Sequence, residues 1–329
     1  MCIITRLPKW EQLPFGQSRY YAHRGEFDLA QRLDEDLLRL SGQCNDSAGL
    51  VRGHYSSGRN LMYAGKFASS QMHLEEVLAL YDPTSHRPPI HQADDDPHVN
   101  SQAFLGIVLF CLGYPNQALA QSNAAIAEAR MLAHPSSLAA SLAIGARLLS
   151  VAGEDAALNE RADELVAVAS EQGFRYWGAL GTICRGWVKV KNGDVAEGIA
   201  LLRSGLIAYS ATGAELQMPY FVALLARACE IVGQIEEAAT LLDDALQIAE
   251  RTGERWVAAE LNRHKGQLLL RQGHSEAAEE LYRKALSIAQ EQEAKLWELR
   301  AAASLARLWQ DQGRRTEAYA LLALALIAP

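Results

Sequence analysis

Gly53-His54-Tyr55-Ser56-Ser57-Gly58-Arg59-Asn60 comes within two substitutions of a phosphate-binding loop, G-x4-G-K-[ST]. That chemistry needs a lysine on the terminal phosphates and a hydroxyl on magnesium, just after a strand. Arginine and asparagine occupy those slots here, and no strand pattern precedes them, so no nucleotide is assigned. A second cluster, His86, His91, Asp94, Asp95, Asp96 and His98, offers imidazoles and carboxylates that zinc or nickel could accept. Its spacing matches no standard site, and proline-rich acidic loops are ordinarily solvated, so no metal or other cofactor is assigned. GxSxG and HExxH are absent, and no cysteine has a histidine partner outside the repeat pattern. The pairs Glu236/Glu237, Asp243/Asp244 and Glu279/Glu280 fall at amphipathic helical spacing and read as solvated faces. No catalytic residue is assigned, and the expectation is that the chain is not an enzyme.

Arginine gives the more informative pattern. Arg19, Arg59, Arg147, Arg227 and Arg307 all stand six residues before a glycine of a regular series, and Trp187 occupies the same column. The planar guanidinium fork suits carboxylate and phosphate partners. Arg52, Arg263, Arg271 and Arg300 fall at neighbouring positions. The competing reading is that these arginines pair with Asp and Glu on adjacent repeats and only solubilise the surface.

The series that positions them is Gly25, Gly65, Gly113, Gly153, Gly193, Gly233, Gly273 and Gly313, with steps of 40 residues broken once by 48. From Gly153 onward a second glycine stands halfway, at Gly173, Gly213 and Gly253, with Glu293 in the fourth slot. Glycine favours the left-handed residue that ends a helix. Turns every 20 residues therefore punctuate helices of about 15 to 17 residues, and such a period means stacked hairpins. Seven before each turn stand Ser18, Gly58, Gly106, Ala146, Gly186, Ala226, Gly266 and Ala306; five after stand mostly Ala, Ser or Gly. Small residues there let helices approach to about 8–10 Å. Trp177, Trp256 and Trp297 open first helices and read as buried inter-repeat packing. The long step holds residues 82–98, whose four prolines exclude a continuous helix and predict an inserted loop.

Composition narrows the class. A net charge of −8 argues against a general nucleic-acid partner. No run of 18 apolar residues and no long apolar N-terminal core appears, so neither a membrane span nor a signal peptide is expected, and the location is read as cytoplasmic. Five scattered cysteines without a CxxC read as reduced thiols. Residues 316–328 (TEAYALLALALIA) form a last helix that is apolar nearly all round, so more protein or a second copy is expected to cover it, as in a homodimer.

The small-residue pattern resembles the tetratricopeptide repeat, best in GHSEAAEELYRKALSIA (273–289). The usual repeat of that kind is about 34 residues, so each unit here carries about six more; the 40-residue period and the resemblance together imply an all-α solenoid of about eight helical hairpins, forming one domain over residues 1–329. It also implies that the column of Arg19, Arg59, Arg147, Trp187, Arg227 and Arg307, with Arg263 beside it, lines an open concave trough. An acidic peptide or domain surface is the expected occupant, and a small anionic ligand is the alternative. Joint replacement of Arg147, Arg227 and Arg307 by alanine is expected to leave helicity intact.

Residues 72–87, 181–216, 252–270 and 298–322 are similar to the C-terminal repeat region of bacterial multidomain signalling proteins. In those, a class III adenylate or guanylate cyclase domain and a signalling-type ATPase domain precede the array. The resemblance implies a non-catalytic interaction or regulatory scaffold of a bacterial signalling system, or a fragment of such a protein lacking its catalytic domains.

Overall fold

The computed structural model describes residues 12–86 and 95–327, and every regular element among them is helical. Helices α1 (Gln12–His23) and α2 (Phe27–Cys44) form the first hairpin, and α3 (Ser47–Tyr63) and α4 (Phe67–Leu80) the second. A four-residue helix, α5 (Pro83–His86), precedes α6 (Pro97–Leu112) and α7 (Pro115–Met131). Then follow α8 (Pro135–Ala152) with α9 (Asp155–Gln172), α10 (Arg175–Lys191) with α11 (Val195–Ser210), and α12 (Met218–Ile231) with α13 (Ile235–Thr252). The last two hairpins are α14 (Ala258–Arg271) with α15 (Ser275–Glu291), and α16 (Lys295–Asp311) with α17 (Arg315–Ile327).

All eight turn glycines have positive φ, from 73° at Gly25 to 98° at Gly113. Three halfway slots that lack glycine follow the same rule: Asn45, Ala133 and Glu293 adopt φ of 52°, 48° and 54°. The period thus fixes the backbone even where the side chain is unfavourable, since a left-handed L-residue costs about 1–2 kcal/mol.

Within each hairpin the two small-residue columns meet, twelve residues apart. Ser18 Oγ donates to the Ala30 carbonyl at 3.3 Å, and Ser70 Oγ to the Gly58 carbonyl at 2.6 Å. A Cβ added at Gly186 would lie 2.9 Å from the Gly198 carbonyl oxygen, and one at Gly266 would lie 3.1 Å from that of Ala278. Here helix pairs touch backbone to backbone, which no larger residue would allow.

The inserted segment is shorter than expected. Asp96 caps α6 by accepting from the His98 and Val99 amides at 2.9 and 3.3 Å, so helix resumes at Pro97. Residues 83–86 are helical as well, whereas His91 and Asp94 of the cluster to which no metal is assigned lie outside the described residues. His86, Asp95 and His98 bond instead to Ser47, Arg19 and Glu128. Residues 53–60, which mimic a phosphate loop, lie inside α3, with Gly58 packed on Leu74. The four described cysteines are free. Helix α8 is long and apolar enough to cross a membrane, but 67% of it is buried inside the fold.

The expected open trough is absent where the array coils onto itself. The His23 carbonyl accepts from the Glu215 and Leu216 amides at 2.8 and 3.3 Å, and the Tyr63 carbonyl from the Arg255 and Trp256 amides at 2.7 and 3.1 Å. Farther along, Arg300 donates to the Val151 carbonyl at 2.7 Å, across 149 residues of sequence. The turns of the first four hairpins therefore abut the opening residues of the last three first-helices. This seam turns the concave face into an interior.

Candidate functional site

The interior holds two voids of unequal size. The smaller, about 40 Å3, lies among Arg19, Arg59 and Arg147. Arg147 is 4% exposed, donates to Tyr63 Oη at 3.0 Å, and sits 5.3–5.9 Å from the rings of Tyr63, Phe104 and Trp256. Arg59 is buried too, bonded through Nε to Asn60 Oδ1 at 3.2 Å. Around it burial raises the Asp34 carboxyl to about 6, against the pull of Ser18, Ser56 and Arg59. Arg19 pairs with Asp95 at 3.1 Å. Arg59 and Arg147 are thus wall residues of the seam and not a groove lining, and Arg147 is no neutral position for an alanine probe.

The larger void, about 260 Å3, lies between α8, α10, α12, α14 and α16, with the exposed residues Gly153 and Lys191 at its edge. Three of the expected residues meet here: Trp187, Arg227 and Arg263. Glu260 is the one carboxylate in the lining, and it is heavily shared. Arg263 Nε and Nη2 reach its two oxygens at 2.7 and 3.0 Å, while Arg300 and His264 both bond Oε1 at 3.1 Å. Burial pushes the Glu260 carboxyl up, but His264 and Arg263 outweigh it and hold it well below the usual carboxylate range. Burial lowers the His264 imidazole, with Glu260 opposing and Arg263 and Arg227 adding to the shift.

Arg227 is left over. Its guanidinium lies 5.0 Å from the Trp187 ring centroid and makes no hydrogen bond or ion pair among the described residues. Burial, then the neighbouring Arg263 and Arg300, depress it below the ordinary arginine value, with Glu260 opposing. Two further groups in the lining lack partners: Trp187 Nε1 and His264 Nδ1 are both buried and unbonded. Arg307 stands apart, exposed on α16.

A third concavity, about 610 Å3, is a surface groove beside the first turn. Arg24 and Arg175 are exposed in it and make no ion pair among the described residues; Arg19, Tyr20 and Trp177 are among the other residues of its wall. Trp256 and Trp297 are buried as expected of packing residues, whereas Trp177 is only half-buried here. Sequence reasoning missed Lys191, Glu260, His264, Arg24 and Arg175. For Glu260 a signal existed. The position thirteen before the last six turns reads Asn100, Ala140, Leu180, Tyr220, Glu260 and Arg300, and all six line the two interior voids.

Residues 220–291 match the tetratricopeptide repeat family model. An uncharacterized protein of Rhizobium meliloti (strain 1021) is 25% identical over 252 residues, covering 76% of this chain; the chain spans 24% of that relative's length. Among solved structures, the Rap conjugation gene regulator of plasmid pLS20 in complex with the Phr peptide has a TM-score of 0.61 at 13% identity, over 87% of this chain and 75% of that one. The apo quorum sensor NprR from B. thuringiensis gives 0.55 at 14%, over 96% and 86%. A signal transduction ATPase with a tetratricopeptide repeat sensor, from Pyrococcus horikoshii, gives 0.51 at 14%, over 97% of this chain and 46% of that one. These likenesses establish a tetratricopeptide-like helical solenoid, and the family match is to a repeat and not to a catalytic domain.

Proposed function

We propose that the chain is a non-catalytic regulatory scaffold of a bacterial cytoplasmic signalling system that receives an acidic protein segment. One observation carries this reading: the surface groove presents Arg24 and Arg175 without ion pairs, beside Tyr20 and Trp177, on a chain whose net charge is −8. Unpaired guanidiniums next to exposed rings suit carboxylate-bearing segments, because Arg binds carboxylate in a bidentate fork while aromatic faces cover apolar stems. The pLS20 regulator, described with a peptide bound, supports a peptide partner, and the ATPase with a repeat sensor supports an array appended to a signalling enzyme. The relation to nucleotide cyclases rests on the sequence resemblance. Given ATP or GTP with magnesium, this chain should form no cyclic nucleotide.

Fluorescence anisotropy of a labelled Glu-rich peptide tests the groove. Binding should weaken roughly tenfold in the Arg24→Ala/Arg175→Ala double variant, and also with rising salt. Equal affinity for the double variant and the wild type would sink the assignment. The homodimer reading rests on α17, which leaves Tyr319, Leu324 and Leu326 about 70% exposed. Light scattering should show a concentration-dependent mass that Leu324→Lys abolishes; a wild-type monomer at every concentration contradicts it.

A further inference from the structure

We propose that the cavity between α8, α10, α12, α14 and α16 is a binding site for one small organic anion, a carboxylate or a phosphate monoester. The site is distinct from the surface groove and stands whether or not the groove takes a peptide.

Charge comes first. Lys191, Arg227, Arg263 and Arg300 line the cavity against the single carboxylate of Glu260. Lys191 is partly met from outside by Asp155 at 3.3 Å, and Glu260 is saturated by Arg263, Arg300 and His264. Arg227 receives nothing but the face of Trp187. The side chain is only half-buried, so its fork stays accessible from the cavity and has no protein acceptor among the described residues. An entering anion would supply the missing partner, with an orientation set by the fork of Arg227.

Unmet hydrogen bonds make a second, independent observation. Trp187 is 2% exposed, lines the cavity, and its Nε1 donor has no acceptor. His264, 6% exposed, gives its Nε2 to Glu260 and leaves Nδ1 unbonded. Buried polar groups of this kind normally find partners, and each orphan costs about 1–3 kcal/mol. An oxyanion would take Arg227 as its donor, while Trp187 Nε1 and His264 Nδ1 stand unpartnered in the same wall.

Size and shape favour a small molecule. The cavity, about 260 Å3, sits at the lower edge of ordinary ligand pockets, roughly 300–1,000 Å3. Toward the other interior void, Arg147, Trp187, Tyr220 and Leu224 leave only about 10 Å3. A peptide cannot thread through; Val257, Leu261 and Trp297 would cover the apolar body of a compact ligand.

Isothermal titration calorimetry on the whole chain tests this with four probes: inorganic phosphate, phenyl phosphate, succinate and phenylacetate. At least one should bind saturably at one site per chain. Arg227→Gln should weaken it roughly tenfold or more, and Trp187→Phe, which deletes only the indole donor, several-fold. Arg307→Gln and the groove variant at Arg24 and Arg175 should bind as wild type does, which separates this site from the groove. A phosphate-only or carboxylate-only result supports the site and selects the class. No saturable heat from any probe up to about 10 mM, or an unaltered affinity in folded Arg227→Gln and Trp187→Phe, overturns the proposal.

Discussion

Truncating Arg147 to alanine separates a closed interior from an open trough. Its guanidinium faces three rings at 5.3–5.9 Å and donates to Tyr63 Oη at 3.0 Å. Alanine removes two buried methylenes at about 0.8 kcal/mol each. It also removes three cation–π contacts at about 1 kcal/mol each, and a charge-assisted hydrogen bond of about 2 kcal/mol. These losses come to about 6–7 kcal/mol. Against them stands relief from burying a cation with no carboxylate bonded to it, about 4 kcal/mol. The net expectation is a loss of about 2–3 kcal/mol. Urea unfolding followed by circular dichroism measures it, with exposed Arg307→Ala as the reference, expected within about 0.5 kcal/mol of wild type. Both arginines occupy one column of the repeat, so an open trough makes both substitutions equally mild. Arg147→Ala falling within about 0.5 kcal/mol of Arg307→Ala refutes the closed seam.

Three further outcomes follow from named contacts. Gly25 and Gly173 share a left-handed backbone, φ 73° and 68°, but a Cβ at Gly25 meets Thr252 Cγ2 at 2.5 Å and one at Gly173 meets nothing within 4 Å. Gly25→Ala should therefore cost about 1–3 kcal/mol more than Gly173→Ala in urea, and equal costs would mean that the turns do not touch. Burial raises the Glu254 carboxyl from 4.5 to about 7, against bonds from the Gln217 amide and Trp256 Nε1 and the charge of Arg147. Below pH 4.5 both states hold that proton; between 4.5 and 7 the unfolded chain releases it while the fold keeps it, so wild-type stability falls by up to about 3 kcal/mol and then levels. Glu254→Gln lacks that slope, so its deficit against wild type should shrink from pH 5 to pH 8; a constant deficit contradicts the assignment. Finally, Arg227→Met removes a half-buried cation that has no ion pair among the described residues and should leave the ligand-free chain at least as stable as wild type, whereas a loss above about 1 kcal/mol would make Arg227 a structural residue.

What the sequence made legible was local. Gly186 and Gly198, or Ser70 and the Gly58 carbonyl, meet within one hairpin, and a 40-residue period suffices to place them. Glu293, recognised only by its place in the series, adopts the expected left-handed turn. The interior was not legible, because His23 meets Glu215, and Val151 meets Arg300, only through small rotations between hairpins added over several repeats. No residue pattern states that sum. For the same reason Arg147 and Arg307, equivalent in the repeat, separate into a buried wall and an exposed surface. The other coil of the array closes around Arg147 but meets α16 only near its opening, at Arg300, and leaves Arg307 exposed.

Amide hydrogen exchange at Glu215, Leu216, Arg255 and Trp256 reads the seam directly. These amides precede α12 and α14, so their acceptors are the His23 and Tyr63 carbonyls, far off in sequence. All four should exchange about a hundredfold or more slowly than the amides of Arg175 and Tyr176, which open α10 without such acceptors. Exchange at the same rate as Arg175 and Tyr176 would mean that the array stays uncoiled, with no interior for a ligand to occupy.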